Sequence, residues 1–147
     1  MTIERSNQQA IINGLDSMYV ELIEAAKQLA QEYFEQASTL ETGSRRHVKL
    51  MILVRQHTDQ SWGIYWAKNI GAPGKPAIPY VINKGKGDKY PLGTFSHVKG
   101  PMKTLCRNYE KRLSSIRAAC FQNRTLRRSL VAHGQQVERT IRAVARR

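Results

Sequence analysis

The chain has few of the features that membrane insertion, export and disulfide formation require. It contains two cysteines in 147 residues, and no apolar run approaches the roughly 18 residues needed to span a membrane. The N-terminus also lacks the basic-then-apolar pattern of a signal peptide. We therefore expect no membrane segment and a cytoplasmic protein. In that reducing compartment, Cys106 and Cys120 are expected to be free, small side chains that are buried or half-buried.

Acidic residues are scarce where a metal-dependent nuclease would need them. Residues 43–147 hold only four acids, which are separated by 29, 22 and 28 positions: Asp59, Asp88, Glu110 and Glu138. Metal-dependent cleavage of a phosphodiester needs carboxylates clustered around the cation. The histidines are also scattered, without the close pairing of a zinc helix: His47, His57, His97 and His133. We expect no catalytic residues, no metal ion and no cofactor.

Positive charge is what the sequence has in excess. Lys and Arg number 24 against 11 acidic residues, which gives a formal net charge of +13. Residues 1–42 carry seven acids and two bases and net −5, whereas residues 43–147 carry 22 bases and four acids and net +18. This excess favours a polyanionic partner for the basic part of the chain. A solvated basic face without a ligand is the simpler alternative.

Hydrophobic periodicity predicts an α+β fold, and the length fits a single domain over residues 1–147, which the excess of basic residues indicates is DNA-binding. The expected parts are an acidic helix (1–42), a β-meander with a basic turn (43–92) and a basic helical region (93–147). Two apolar ridges between about Gln8 and Ala37 predict a long helix, which can pack on a sheet, another helix or a second subunit.

Alternating apolar residues predict three antiparallel strands. The first ends near Val54 and is joined to the second, around Trp62 and Trp66, by a turn at residues 57–60. The third runs over residues 78–82, and Pro79 places it at an edge.

The C-terminal region has two helical patterns. Pro101 can begin a helix that continues to about Phe121. Beyond Asn123 the apolar face is rotated, which predicts a break or a bend there, and hence two helices or one bent helix. Gly134 weakens the last segment and allows a hinge.

Basic residues fall into groups that suit contacts with DNA phosphates. Three lysines and two glycines share the turn at residues 84–89, and five arginines of the last helix project within roughly 40° of one line: Arg124, Arg128, Arg139, Arg142 and Arg146. Others flank the strands. The predicted DNA-binding residues are Arg45, Arg46, Lys49, Lys68, Lys75, Lys84, Lys86, Lys89, Arg124, Arg127, Arg128, Arg139, Arg142 and Arg146.

Either a helix or a strand pair could read the DNA. Helical arginines can form a bidentate fork with a guanine edge. The first two strands, with Lys49, Arg55 and Tyr65 exposed, could instead form a β-ribbon reader. The sequence leaves both possibilities open.

Two other functions remain as alternatives for this sequence. Gly63-Ile64-Tyr65 matches the first half of the GIY-YIG nuclease signature, which makes a small nuclease using Tyr65, Tyr80 and Glu110 an alternative. The second half of that signature lacks its glycine here, and alternation explains Ile64 and its neighbours as strand core. An RNA-binding protein is the other alternative, although few aromatic residues are available for stacking on bases.

The central sequence resembles a known family. Ser61-Trp62-Gly63-Ile64-Tyr65-Trp66-Ala67-Lys68, followed by Gly74-Lys75, Tyr80-Val81-Ile82-Asn83-Lys84-Gly85-Lys86-Gly87 and Tyr90-Pro91, is similar to the MobI family of conjugative transfer proteins, and the similarity extends along most of the chain. The resemblance implies a non-catalytic accessory factor of integrative conjugative elements and related plasmids. Its implied partners are double-stranded DNA at an origin of transfer and a relaxase. We also expect a homodimer.

Overall fold

Two long helices and a small sheet make up the part of the chain that the computed structural model describes, residues 3–40, 48–70 and 78–146. The elements run in the order α1 (Ile3–Leu40), β1 (Leu50–Thr58), β2 (Ser61–Ile70), β3 (Ile78–Val81), a short 3₁₀-helix (Leu92–Phe95) and α2 (Gly100–Ala145). The predicted α+β fold is confirmed.

The elements contribute to two compact units. The sheet unit comprises residues 23–118, and the helical unit comprises residues 1–22 together with residues 119–147. The expectation of a single domain stays a prediction. Neither helix contains an apolar stretch long enough to cross a bilayer within its described residues.

The strands form the predicted antiparallel meander in the order β1-β2-β3. The hairpin turn is shorter than predicted, because Thr58 pairs with Ser61 and so His57 and Thr58 belong to β1. The Thr58 hydroxyl donates to Ser61 Oγ at 3.2 Å and accepts the Gln60 N–H at 3.3 Å, which leaves a two-residue turn at positions 59 and 60.

Strand β3 forms the edge of the sheet, as Pro79 predicts. The Ile82 N–H donates to the Trp66 carbonyl at 2.9 Å. Because backbone groups alternate in direction along a strand, the nitrogen of Pro79 faces away from β2, where its missing N–H breaks no ladder bond.

Aromatic rings fill the core of the sheet unit. Trp66 is completely buried, and its ring meets those of Tyr33 and Phe95 edge-to-face, with centroids 5.0 Å apart in each pair. Tyr33 also packs on Tyr109 of α2 and donates its hydroxyl to the Leu50 carbonyl at 2.8 Å. Such rings remove large apolar surfaces from water. Both helices therefore pack on the face of the sheet that carries Trp66.

In the helical unit, α1 and α2 run antiparallel. The Gln8 side chain donates to the Leu130 carbonyl and the Asn123 side chain donates to the Leu15 carbonyl, both at 2.9 Å, so positions rise along α1 as they fall along α2. Gly134 has a packing role, since a Cβ there would come within 2.4 Å of the Gln8 amide group.

Of the two alternatives predicted near Asn123, a break and a bend, the break is wrong. Helix α2 continues without interruption from Gly100 to Ala145, and Asn123 is buried inside it. The apolar stripe rotates because α2 packs on the sheet within one unit and on α1 within the other, so a change of partner produced the pattern that was interpreted as a break.

Candidate nucleic-acid interface

A buried ion pair fixes the basic turn of the sheet unit. Arg117 Nη1 lies 2.9 Å from Glu110 Oε1, and both side chains are at most 10% exposed. Glu110 also accepts the Trp66 indole N–H at 2.9 Å and the Tyr90 backbone N–H at 3.0 Å. Arg117 donates from Nη1 to the Asp88 carbonyl at 3.0 Å. These bonds hold the end of the turn on α2 and on the centre of the sheet.

Tyr90 provides a second attachment beside the ion pair. Its hydroxyl accepts the Trp66 backbone N–H at 3.0 Å and donates to the Ile82 carbonyl at 2.9 Å. Burial raises the pKa of Tyr90 above its usual 10.0, so the hydroxyl keeps the proton that it donates. The turn at residues 84–89 is therefore anchored on both sides.

Within this turn the three lysines are not equivalent. Lys84 is half-buried and its ammonium group donates to the Gly87 carbonyl, so it closes the turn from inside. Gly85 has a φ of +84°, a conformation that favours glycine, and its N–H donates to the Asn83 side chain at 2.9 Å. Lys86 and Lys89 are exposed and available to an anion.

A second basic group in the sheet unit was missed by the sequence analysis. Lys99 precedes α2, and Lys103, Arg107 and Lys111 follow at intervals of four residues on the helix. A spacing of four places neighbours on one side of a helix. Lys103 is half-buried and the others are exposed. We call these four residues the basic stripe; the four-residue period in the sequence could have revealed it.

The arginines predicted on one face of the last helix divide into two sets. Arg128, Arg139, Arg142 and Arg146 are exposed, and we call them the arginine face. Arg124, which was predicted on the same face, and Arg127, which was predicted as a DNA contact, are instead directed to α1, where each has a nitrogen 2.9 Å from Asp16 Oδ1. The Arg124 guanidinium also lies 4.0 Å from the centroid of the Tyr19 ring. These two arginines hold the helical unit together.

The environment of Asp16 gives its ion pairs a definite pH dependence. Burial raises its pKa, but the hydrogen bonds and charges of Arg127 and Arg124 outweigh burial and hold the pKa below 3.8. A depressed folded-state pKa contributes stability above the unfolded pKa, about 3.9, which is lost as the pH falls through the folded value.

We expect Asp16→Asn to lower the free energy of unfolding at neutral pH by about 1 kcal/mol, because the Asp16 side chain is 40% exposed and solvent screens the pair. The difference from wild type should shrink as the pH falls below about 4. Urea unfolding at neutral and acidic pH measures it. Glu24→Gln, which breaks only an exposed pair with Lys27, is the control and should change little. A deficit that persists in acid would contradict this account.

The outer face of the sheet carries the possible β-ribbon reader. Arg55 is exposed and its guanidinium lies 5.6 Å from the centroid of the half-buried Tyr65 ring, while the Tyr65 hydroxyl is 2.6 Å from His57 Nε2. Lys49, just before β1, and Lys68 in β2 are exposed.

Three predicted DNA contacts lie outside the described residues: Arg45, Arg46 and Lys75.

Two residues of the alternative nuclease site, Tyr65 and Glu110, are not brought together. Tyr65 and Trp66 are adjacent in β2, so Tyr65 projects from the face opposite to the one on which Trp66 meets Glu110. Gly63 has its own explanation, because a Cβ there would come within 2.4 Å of the Tyr65 ring and hydroxyl. Glu110 is occupied by its core hydrogen bonds. Among the described residues no group of three or more His, Cys, Asp and Glu side chains could hold a metal ion.

The cysteines have the environments that were predicted. Both are free thiols; Cys106 is buried and Cys120 is half-buried. Burial raises the pKa of Cys120 to about 11, so this thiol is protonated at neutral pH and is a poor nucleophile.

The fold and the basic groups define a small α+β protein that combines a rigid aromatic core with exposed cationic surfaces. The chain belongs to the MobI family, since the family model described as MobI protein matches residues 22–131 of 147. Membership of this family implies a role in conjugative transfer. No curated protein matches the chain, and no solved structure matches it.

Proposed function

We propose that this protein is a non-catalytic, DNA-binding accessory factor that acts at the origin of transfer of a conjugative element. In this role it binds duplex DNA, helps a relaxase to start transfer and works as a homodimer. Since an origin of transfer lies on cytoplasmic DNA, the proposal also places the protein in the cytoplasm. The observation that carries it is the exposure of three cationic groups in a member of the MobI family: Lys86 and Lys89 of the turn, the basic stripe and the arginine face.

The arginine face suits a duplex in length. From Arg128 to Arg142 the helix rises by about 21 Å, which corresponds to about six steps of 3.4 Å along one DNA strand. In the hydrogen bonds that the structure shows for Arg128 and Arg139, the partners are the neutral side chains of Thr125 and Gln136. Arginines on such a surface can bind phosphates and can also reach a guanine edge.

The turn supports the same proposal by its rigidity. A loop that is already ordered loses less conformational entropy on binding than a mobile one. The Glu110–Arg117 pair and Tyr90 hold the end of this turn, so Lys86 and Lys89 are presented on an ordered backbone. Lysines on a glycine-containing turn suit contacts with phosphate oxygens, which position a protein on DNA without reading its sequence.

The proposal is tested by measuring the affinity for a fluorescent origin-of-transfer duplex over a series of salt concentrations. Log affinity should fall linearly with log salt, with a slope of about −0.9 for each phosphate neutralised. A scrambled duplex is the control for sequence recognition and should bind more weakly. An affinity that does not depend on salt would exclude phosphate binding, and equal affinities for the two duplexes would exclude recognition of the origin.

Two further experiments test the relaxase as a partner and the alternative functions. Adding the element's relaxase to supercoiled origin DNA should give faster nicking when this protein is present, whereas the protein with magnesium alone should give none. Nicking without relaxase would instead support the nuclease alternative. Structured RNA should displace the duplex poorly. Proteins that recognise RNA stack aromatic rings on its bases. On the outer face of the sheet, the Tyr65 ring could stack in this way, but its hydroxyl is hydrogen-bonded to His57.

A further inference from the structure

The helical unit has an open apolar groove between its two helices. The groove encloses about 430 Å³ and is lined mainly by apolar atoms, including those of Ile11 on α1 and Leu130, Val137 and Ile141 on α2. A second depression continues along the same pair of helices between Met18 and Leu126. Ile11 and Met18 are seven positions apart, as are Leu130 and Val137, a spacing that keeps side chains on one side of a helix. The two depressions therefore follow a single seam.

Large apolar side chains remain exposed along this seam. The exposed fraction is 53% for Ile11, 56% for Met18, 52% for Leu126, 51% for Ile141 and 64% for Val144. Half of the surface of five such side chains is roughly 500 Å² on one chain, so two chains would bury about 1,000 Å² from these residues alone, the lower bound for a specific interface. Neighbouring small and polar side chains would add to that area.

Charged side chains lie at the edges of the seam: Glu138 and Arg142 of α2 line the groove, and Glu21 of α1 lines the second depression. In projection, the side of α2 centred on Leu126 and Val144 carries no Lys, Arg, Asp or Glu between positions 119 and 144. Arg128 and Arg139 of the arginine face project to the opposite side of the same helix, and Arg124 and Arg127 are directed to Asp16. On α1, the exposed side around Ile11 and Met18 carries no charged residue between positions 7 and 18.

This distribution of charge favours one occupant. Two copies of a chain with a net charge of +13 repel each other, and contact is least costly where cations are few and carboxylates lie close by. Among the residues that line the two depressions, Arg142 is the one Lys or Arg that a DNA phosphate could contact, and the carboxylate of Glu138 lines the same groove. We propose that the seam of the helical unit is the homodimer interface, in which the α1–α2 pair of one copy packs on the same pair of a second copy as a four-helix bundle. The inference rests on the homodimer in the proposed function but is independent of DNA binding.

Sedimentation equilibrium of the full chain without DNA tests the interface. The wild type should be dimeric in the micromolar range, and Met18→Glu should raise the dimer dissociation constant by about 100-fold or more, because it places an unpaired carboxylate in the interface of both copies. Val20→Glu is the matched control: Val20 is 58% exposed on the same helix but faces away from the seam, so the constant should stay within a few-fold of wild type. Leu126→Glu should repeat the effect from α2.

Several outcomes would overturn the proposal. A wild-type protein that stays monomeric throughout the micromolar range would overturn it, and the seam would then be expected to bind a different protein. Equal weakening by Val20→Glu and Met18→Glu would show that charge, and not position, is responsible. Circular dichroism verifies that each variant is folded, as expected for positions already more than half exposed. Because no DNA is present, these results are separate from those of the salt titration.

Discussion

Replacing Glu110 by Ala should lower the free energy of unfolding by about 3–5 kcal/mol, since it leaves the guanidinium of Arg117 buried without a counter-ion. The Arg117 side chain is 6% exposed, so water cannot replace the lost carboxylate. The substitution also removes the acceptor for the Trp66 indole and for the Tyr90 backbone N–H. Urea unfolding followed by tryptophan fluorescence would measure the loss.

The matched control for this variant is Glu32→Ala. Glu32 is also a helical glutamate paired with an arginine, but its contact with Arg112 is 3.8 Å long and the two side chains are 41% and 48% exposed. An exposed pair of this kind contributes about 1 kcal/mol or less. Similar losses for the two variants would show that the Glu110–Arg117 pair does not organise the core.

The second large effect is expected when the arginine face is neutralised. Replacing Arg128, Arg139, Arg142 and Arg146 by Gln should weaken binding to duplex DNA by about 100-fold or more at moderate salt. It should also reduce the magnitude of the salt slope by about 3–4, since each lost phosphate contact removes about 0.9. Gln keeps the helix propensity and much of the side-chain length. Fluorescence anisotropy over a salt series measures both quantities.

Two double variants separate position from net charge. Arg128→Gln with Arg139→Gln and Lys27→Gln with Arg112→Gln each remove two positive charges from the chain. Lys27 and Arg112 are already paired with glutamates, so their loss should change the salt slope by less than one unit, against about two for the pair on the arginine face. If the two double variants lose the same affinity, DNA binding depends on overall charge and the arginine face has no special part in it.

The helices and strands could be predicted from the sequence because the periodicity of each one depends only on residues close together in the chain. The helical spacing of α1 and the alternation of β1 and β2 record which side of each element is buried. The continuity of α2 could not be predicted in the same way. Asn123, which suggested a break, is satisfied by the Leu15 carbonyl, and that contact spans 108 positions.

The same distinction applies to the candidate site. Lysines and arginines could be predicted as DNA contacts from their charge alone, but the sequence did not show which of them are already bonded to other groups of the protein. Arg124 and Arg127 share Asp16, a partner more than 100 positions away, and Lys84 closes its own turn. The role of Glu110 depends on Trp66 and Tyr90, which come from two other segments. Such pairings become visible only when the chain is folded.

The direction of Pro79 in β3 limits how these molecules can assemble. In a strand of four residues, the groups at positions 79 and 81 face away from β2, and Pro79 has no N–H, so Val81 supplies the only outward donor of β3. An incoming strand would find almost no ladder to extend, and this edge resists growth into a fibre. Growth of the sheet by strand addition is therefore disfavoured on the β3 side, and the edge that offers a longer ladder is β1 on the other side.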